Sequence, residues 1–136
     1  MKFMFAAIIL LATAVPAFGA CWLHAGSDDV SELSGDPCTL KISDGLASMW
    51  FKVDYKVMQT TEVNGVSIRF NEEKVRYVAN CATGTGLLTT LVRYNTKTNK
   101  LVDSIDNTST KLAEPVPESR LDNLYKLVCA AKRGAS

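Results

Sequence analysis

The stretch that decides the fold is ASMWFKVDYKVM, residues 47–58. Every second position in it is apolar. These positions are Ala47, Met49, Phe51, Val53, Tyr55 and Val57. Because successive side chains of a β-strand point to opposite faces of the sheet, this alternation predicts a strand with one buried face. At about 3.3 Å per residue the strand would be roughly 40 Å long, which suits a central strand of an antiparallel sheet.

The segments on either side of this strand are predicted to supply its neighbours. Alternating runs predict strands at residues 21–25, 38–43, 66–70, 75–81, 87–94 and 101–105. Asp-Gly at 44–45 and Asn-Gly at 64–65 are typical of tight hairpin turns. Residues 26–37 are rich in turn formers and are predicted to form a loop. The apolar phase changes across residues 71–74, which predicts a bulge or a break there.

The C-terminal segment has the period of a helix. Its apolar positions are Leu121, Leu124, Tyr125, Val128 and Cys129. This spacing is typical of an amphipathic helix, for which Ser119 is a suitable N-cap. The sequence therefore predicts an α+β fold. A single antiparallel sheet of about five to six strands is covered on one face by a C-terminal helix and stapled by disulfides.

The N-terminus is typical of a secretory signal peptide. Lys2 precedes an apolar run at residues 3–15, and small residues follow Pro16. The run is too short for a good membrane span, so no transmembrane segment is expected in the mature chain. We therefore predict a signal peptide at residues 1–20, a single domain at 21–136, and export to the periplasm or the outer-membrane surface.

Four cysteines, Cys21, Cys38, Cys81 and Cys129, remain after the signal peptide. An even number in an exported chain indicates disulfides, and four cysteines allow three pairings. Cys81 lies on the same side of its predicted strand as the apolar residues, and Cys129 lies on the apolar stripe of the helix. A Cys81–Cys129 bond would therefore attach the helix to the sheet. Cys21 would then pair with Cys38. Lipidation of Cys21 is the alternative: Gly19 and Ala20 fit a lipoprotein box, but Phe18 fits it poorly, and the disulfide is favoured.

The composition gives no sign of a nucleic-acid, metal or catalytic site. Removal of Lys2 leaves 14 basic and 14 acidic residues, so no electrostatic case exists for nucleic acid. The cysteines lack the Cys-x-x-Cys spacing of zinc sites, and His24 is the single histidine. The chain has no Gly-x-Ser-x-Gly elbow. We expect no metal, no cofactor and no enzymatic activity.

Three separated motifs together resemble the surface-adhesin protein E family. They are WFKVDYK at 50–56, the strand ending in Asn80-Cys81, and LDNLYKLVC at 121–129. Tyr125 stands where members usually have Trp, and Cys21 and Cys38 look like additions. The resemblance implies a sheet under one helix, a bond between the two later cysteines, and a non-enzymatic role. The founding adhesin binds the host proteins vitronectin, laminin and plasminogen.

The predicted function is therefore that of an exported binding protein whose ligand is a protein. A host matrix or serum protein is expected, or an envelope protein. A periplasmic inhibitor or immunity-type protein that blocks an enzyme is the alternative. The sheet face that the helix leaves uncovered carries Trp50, Lys52 and Lys56, which are candidate partner-binding residues because aromatic side chains dominate interface energetics. Packing of Trp50 against Trp22 or a loop is the competing interpretation.

Overall fold

The computed structural model describes residues 21–107 and 111–135. It contains β1 (Leu23–Ser27), β2 (Ser31–Ser43), β3 (Leu46–Val63), β4 (Val66–Asn80), β5 (Thr85–Asn95), β6 (Lys100–Asp106) and α1 (Arg120–Gly134). The strands form one antiparallel sheet in sequence order, so each pairs with its neighbours in the chain. The predicted α+β fold is confirmed: one sheet, one C-terminal helix and two disulfides. The predicted signal peptide, residues 1–20, lies outside the described residues.

The long strand β3 follows the predicted alternation in its first half only. Ala47, Met49, Phe51 and Val53 are all buried. Beyond Asp54 the register with β4 shifts. Asp54 pairs with Glu72, and the next paired residue of β3, Gln59, pairs with Phe70. Four residues of β3, 55–58, therefore lie opposite one residue of β4, Asn71, and form a bulge. Val57 is 70% exposed as a result, and its predicted place on the buried face is wrong.

The irregularity predicted at residues 71–74 is real but belongs to the partner strand. β4 runs unbroken from Val66 to Asn80, and the excess residues are those of β3 opposite Asn71. This arrangement lets Phe70 and Val75 both be buried, although their parities differ. Sequence parity detects such a change of phase, but it does not tell which of two paired strands contains the additional residues.

Strand β1 ends at Ser27 and β2 begins at Ser31, so the predicted loop at residues 26–37 is correct only for residues 28–30. Gly35 pairs with Phe51, and a Cβ atom on Gly35 would lie 3.1 Å from the side chain of Met49. Gly35 thus allows a close approach of β2 to the core and does not form a turn here. Pro37 falls within the register shift between Asp36 and Lys41, where no ladder hydrogen bond is required of it.

The helix packs its apolar stripe on the centre of the sheet. Ser119 caps it as predicted, accepting the backbone N–H of Asp122 at 3.2 Å. Leu124, Val128 and Cys129 are buried against residues of β3 and β4. Those sheet residues are Ala47, Met49, Phe51, Val75, Tyr77 and Ala79. Leu121, predicted on the same stripe, is exposed at the first turn of the helix.

Two disulfides fix the ends of the domain. Cys81, just after β4, is bonded to Cys129 of the helix across a separation of 48 residues. In the chain-entropy model such a loop stabilises the fold by about 4 kcal/mol. Cys21 is bonded to Cys38 and attaches the start of the described chain to β2. The helix thus stays on one face of the sheet, where it contacts β2 to β5.

We expect Phe51→Asp to abolish cooperative folding, whereas Val57→Asp leaves the domain folded. The two residues have the same sequence parity, but Phe51 is 0% exposed and Val57 lies in the bulge. A buried carboxylate without a partner costs several kcal/mol, a large part of the stability of a domain. Thermal unfolding followed by circular dichroism measures both variants. Similar losses in both would contradict the bulge at residues 55–58.

We also expect Gly86→Ala to destabilise the domain by about 1–3 kcal/mol, the usual cost of overpacking. Gly86 exchanges two backbone hydrogen bonds with Ala113, at 2.9 and 3.0 Å, which hold it in place. A Cβ atom on Gly86 would overlap the buried side chain of Tyr77. Gly134→Ala, where a Cβ meets open space at the helix end, is the control. Equal melting temperatures for the two variants would contradict the close contact with Tyr77.

Candidate functional site

The sheet face opposite α1 contains a groove that includes one of the predicted partner-binding residues. We call it the Trp50 groove. It is lined by Trp22, Asp36, Thr39, Trp50, Lys74, Val92 and Tyr94, and its volume is about 230 Å³. Trp50 pairs with Asp36 of β2 on one side and with Arg76 of β4 on the other. The groove therefore lies across the middle of the sheet, and all of its lining residues except Trp22, which precedes β1, belong to strands.

Lysine side chains lie against two of the three aromatic rings beside this groove. Lys52 Nζ is 5.1 Å from the ring centroid of Trp22, and Lys74 Nζ is 4.9 Å from that of Tyr94. Both distances are within the range of cation–π attraction. Trp22 therefore contacts Lys52, and the uncovered face presents alternating rings and ammonium groups.

The two lysines face each other directly across β3 and β4. Like charges in this position repel, but each lysine has a carboxylate two residues away on its own strand. Lys52 Nζ lies 3.7 Å from Asp54 and Lys74 Nζ lies 3.6 Å from Glu72. These carboxylates and the aromatic rings offset the repulsion, so the face has balanced charge and ordered lysine side chains.

Lys56, the third predicted partner-binding residue, is not part of the groove. It lies in the β3 bulge, and its Nζ donates to the backbone carbonyl of Asp28 at 2.6 Å. Its backbone N–H bonds to Val30 at 2.9 Å. The Asp28 carboxylate accepts the backbone N–H groups of Val30 and Ser31, which lower the pKa of Asp28. Lys56 thus ties β3 to the β1–β2 turn.

A polar cluster that the sequence did not reveal lies on the helix side of the sheet. Glu73 accepts a hydrogen bond from the Tyr55 hydroxyl and one from Arg93 at 3.3 Å. Arg93 also binds Asp103 at 3.0 Å, and Arg120 donates to the Tyr55 hydroxyl at 3.2 Å. Burial raises the pKa of Tyr55, and its hydrogen bond to Glu73 acts in the same direction. These groups satisfy one another's hydrogen bonds, and they link β3, β4, β5, β6 and α1. In the sequence, the one sign of this cluster is an acidic residue, Glu73, at a strand position on the same face as the buried Val75 and Tyr77.

A wider groove separates β1 from the helix. Its volume is about 580 Å³, and its floor contains Leu33, Val53 and Leu127. Asp28, Arg120 and Lys126 lie at its rim. Lys126 is bound to Asp122 at 2.9 Å, and this hydrogen bond lowers the pKa of Asp122.

His24 is exposed on the edge strand β1. Cys21, Asp36 and Cys38 have potential metal-binding atoms within 4.8 Å, but the disulfide uses both sulfur atoms.

Comparison with known proteins gives one result. The family model described as surface-adhesin protein E matches residues 22–130, which is most of the chain. Neither curated proteins nor solved structures gave a significant match. In the part of the chain that the structure describes, no helix is long and apolar enough to cross a membrane. The family implies an exported or surface protein with an adhesin-like role, and it favours protein ligands over catalysis. The chain belongs to the surface-adhesin protein E family.

Proposed function

We propose that this protein is an adhesin-like binding protein that holds a protein ligand on the sheet face opposite α1, at the Trp50 groove. One observation carries the proposal: Trp22, Trp50 and Tyr94 line a single groove on a face that no helix of the described residues covers. The mature form would be the domain at residues 21–136, after removal of residues 1–20.

The composition of the groove suits a protein interface. Tryptophan and tyrosine are enriched among the residues that dominate binding energy, because they bury a large area at a low cost in conformational entropy. Here Lys52 and Lys74 already restrain Trp22 and Tyr94, which lowers the ordering cost further. Asp54 and Glu72 beside these lysines supply the polar rim that typical interfaces have.

A host matrix or serum protein is the ligand that best fits family membership. The adhesin-like role of the family supports adhesion over the alternative of an enzyme inhibitor or immunity-type protein. Adhesion to host proteins requires display outside the cell, so we place the protein on the outer-membrane surface rather than in the soluble periplasm. A lipid on Cys21 would provide an anchor there, but the Cys21–Cys38 bond argues against it.

We expect Trp50→Ala to weaken capture of a host protein at least tenfold, the effect of losing an interface residue worth about 1.4 kcal/mol or more. The mature domain would be immobilised and tested by surface plasmon resonance against purified vitronectin, laminin and plasminogen. Val57→Ala is the control, since Val57 is an exposed apolar residue of the same strand outside the groove.

Two results would overturn the proposal. One is a folded domain that captures none of these proteins. The other is capture that Trp50→Ala, Trp22→Ala and Tyr94→Ala leave unchanged. Melting temperatures of all variants separate a lost contact from a lost fold. Retained binding in Val57→Ala shows that the effect belongs to the groove.

The state of Cys21 gives a separate expectation about location. If Cys21 is bonded to Cys38, thiol labelling of the unreduced, denatured protein gives no modified cysteine. Peptide mapping without reduction should show Cys21 joined to Cys38 and Cys81 joined to Cys129. A labelled Cys38 together with an acylated N-terminus would establish a lipoprotein instead and would contradict the disulfide.

A further inference from the structure

Three carboxylates are buried in the described part of the chain, and one of them differs from the others. Glu73 is 7% exposed and is paired with Arg93, and Asp122 is 8% exposed and is paired with Lys126. Asp36 is only 1% exposed, yet among the described residues no lysine or arginine forms an ion pair with it. A buried charge without a counter-ion is costly.

The Asp36 carboxylate has unused hydrogen-bonding capacity at the wall of the Trp50 groove. Oδ1 accepts the backbone N–H of Cys38 at 3.1 Å, and Oδ2 has no hydrogen bond within residues 21–107 and 111–135. No fully buried side-chain oxygen among those residues is without a partner, so Oδ2 retains some contact with solvent. Asp36 is also one of the residues that line the Trp50 groove, so a ligand in the groove lies next to it.

An aromatic ring stands directly beside this carboxylate. Asp36 and Trp50 are paired residues of β2 and β3, so their side chains are immediate cross-strand neighbours. Thr39 fixes both: its hydroxyl donates to the Asp36 carbonyl at 2.6 Å and accepts the Trp50 backbone N–H at 3.0 Å. Trp22 and Tyr94 are each covered by a lysine, whereas no cation of the described residues covers Trp50.

The lysine in the groove does not neutralise Asp36. The ammonium of Lys74 is shared between Glu72, at 3.6 Å, and the ring of Tyr94. Lys74 is therefore engaged by other groups and leaves Asp36 without a counter-ion among the described residues. Arg76, which pairs with Trp50 across the strands, donates to Ser48 at 3.0 Å. The volume of about 230 Å³ has room for one side chain rather than for a strand or a helix.

We propose that the Trp50 groove receives an arginine side chain of the protein ligand, with Asp36 as its counter-ion and Trp50 as its stacking surface. This proposal rests on the binding role proposed above. Arginine fits better than lysine because its planar guanidinium stacks on an indole and simultaneously donates two hydrogen bonds to a carboxylate. An exposed arginine on a host protein would then be the group that the adhesin recognises.

The test uses N-acetyl-arginine amide as the probe and N-acetyl-citrulline amide as its neutral isostere. Two-dimensional NMR of the ¹⁵N-labelled domain reports the indole N–H of Trp50, assigned with a Trp22→Phe variant. We expect saturable shifts with the arginine probe in the millimolar range and at least tenfold weaker binding of the citrulline probe. Asp36→Asn keeps an oxygen for the Cys38 N–H and should weaken arginine binding at least tenfold.

Glu32→Gln is the matched control, since it removes one negative charge from an exposed position of the same strand and face as Asp36, outside the groove. Little change in this variant, with a large loss in Asp36→Asn, supports the proposal. The proposal is overturned by no arginine-dependent shift, by equal binding of citrulline, or by equal losses in the two variants. If Asp36→Asn does not fold, the comparison of the two probes on the unmodified domain decides. If the domain captures a host protein in a Trp50-dependent way but does not bind the arginine probe, the proposed binding face stands and the arginine proposal is wrong.

Discussion

The structure depends on the contact between one stripe of the helix and the apolar centre of β3 and β4. Phe51 and Tyr77 are buried there under Leu124 and Val128. The described residues contain one helix for a six-stranded sheet, so only one face is covered, and the Cys81–Cys129 bond holds the helix on that face. The opposite face is left to contact solvent, so its side chains must be compatible with water.

The sequence was sufficient for the fold class because its signals are local. The alternation at residues 47–54, the Asp-Gly and Asn-Gly turns and the helical spacing after Ser119 each report a nearby backbone geometry, and the structure has all of them. The sequence did not predict the beginning of β2, because glycine and proline, which stand at positions 35 and 37, are residue types common in turns. Their role in the strand depends on Met49, Phe51 and a register shift, which are features of the partner strand.

The candidate site was only half predictable for a similar reason. Trp50 and Lys52 stood out as residues of one strand face, but Lys74, Tyr94 and Asp36 join them only through strand register. Lys56 was grouped with them by parity, and the bulge at residues 55–58 invalidates parity at that point. Register is set by the bulges and turns of the whole sheet, so a single strand cannot reveal its cross-strand neighbours.

The order of the cysteines along the chain has a consequence for biogenesis. The two disulfides are consecutive rather than interlaced: Cys21–Cys38 closes before Cys81 is reached in the sequence. Since each strand also pairs with its neighbour in sequence, a chain that crosses a membrane N-terminus first can complete its structure in the order of its appearance. An oxidant that joins the first two thiols to emerge would produce the native bond, so oxidative folding of this domain does not require a later disulfide exchange.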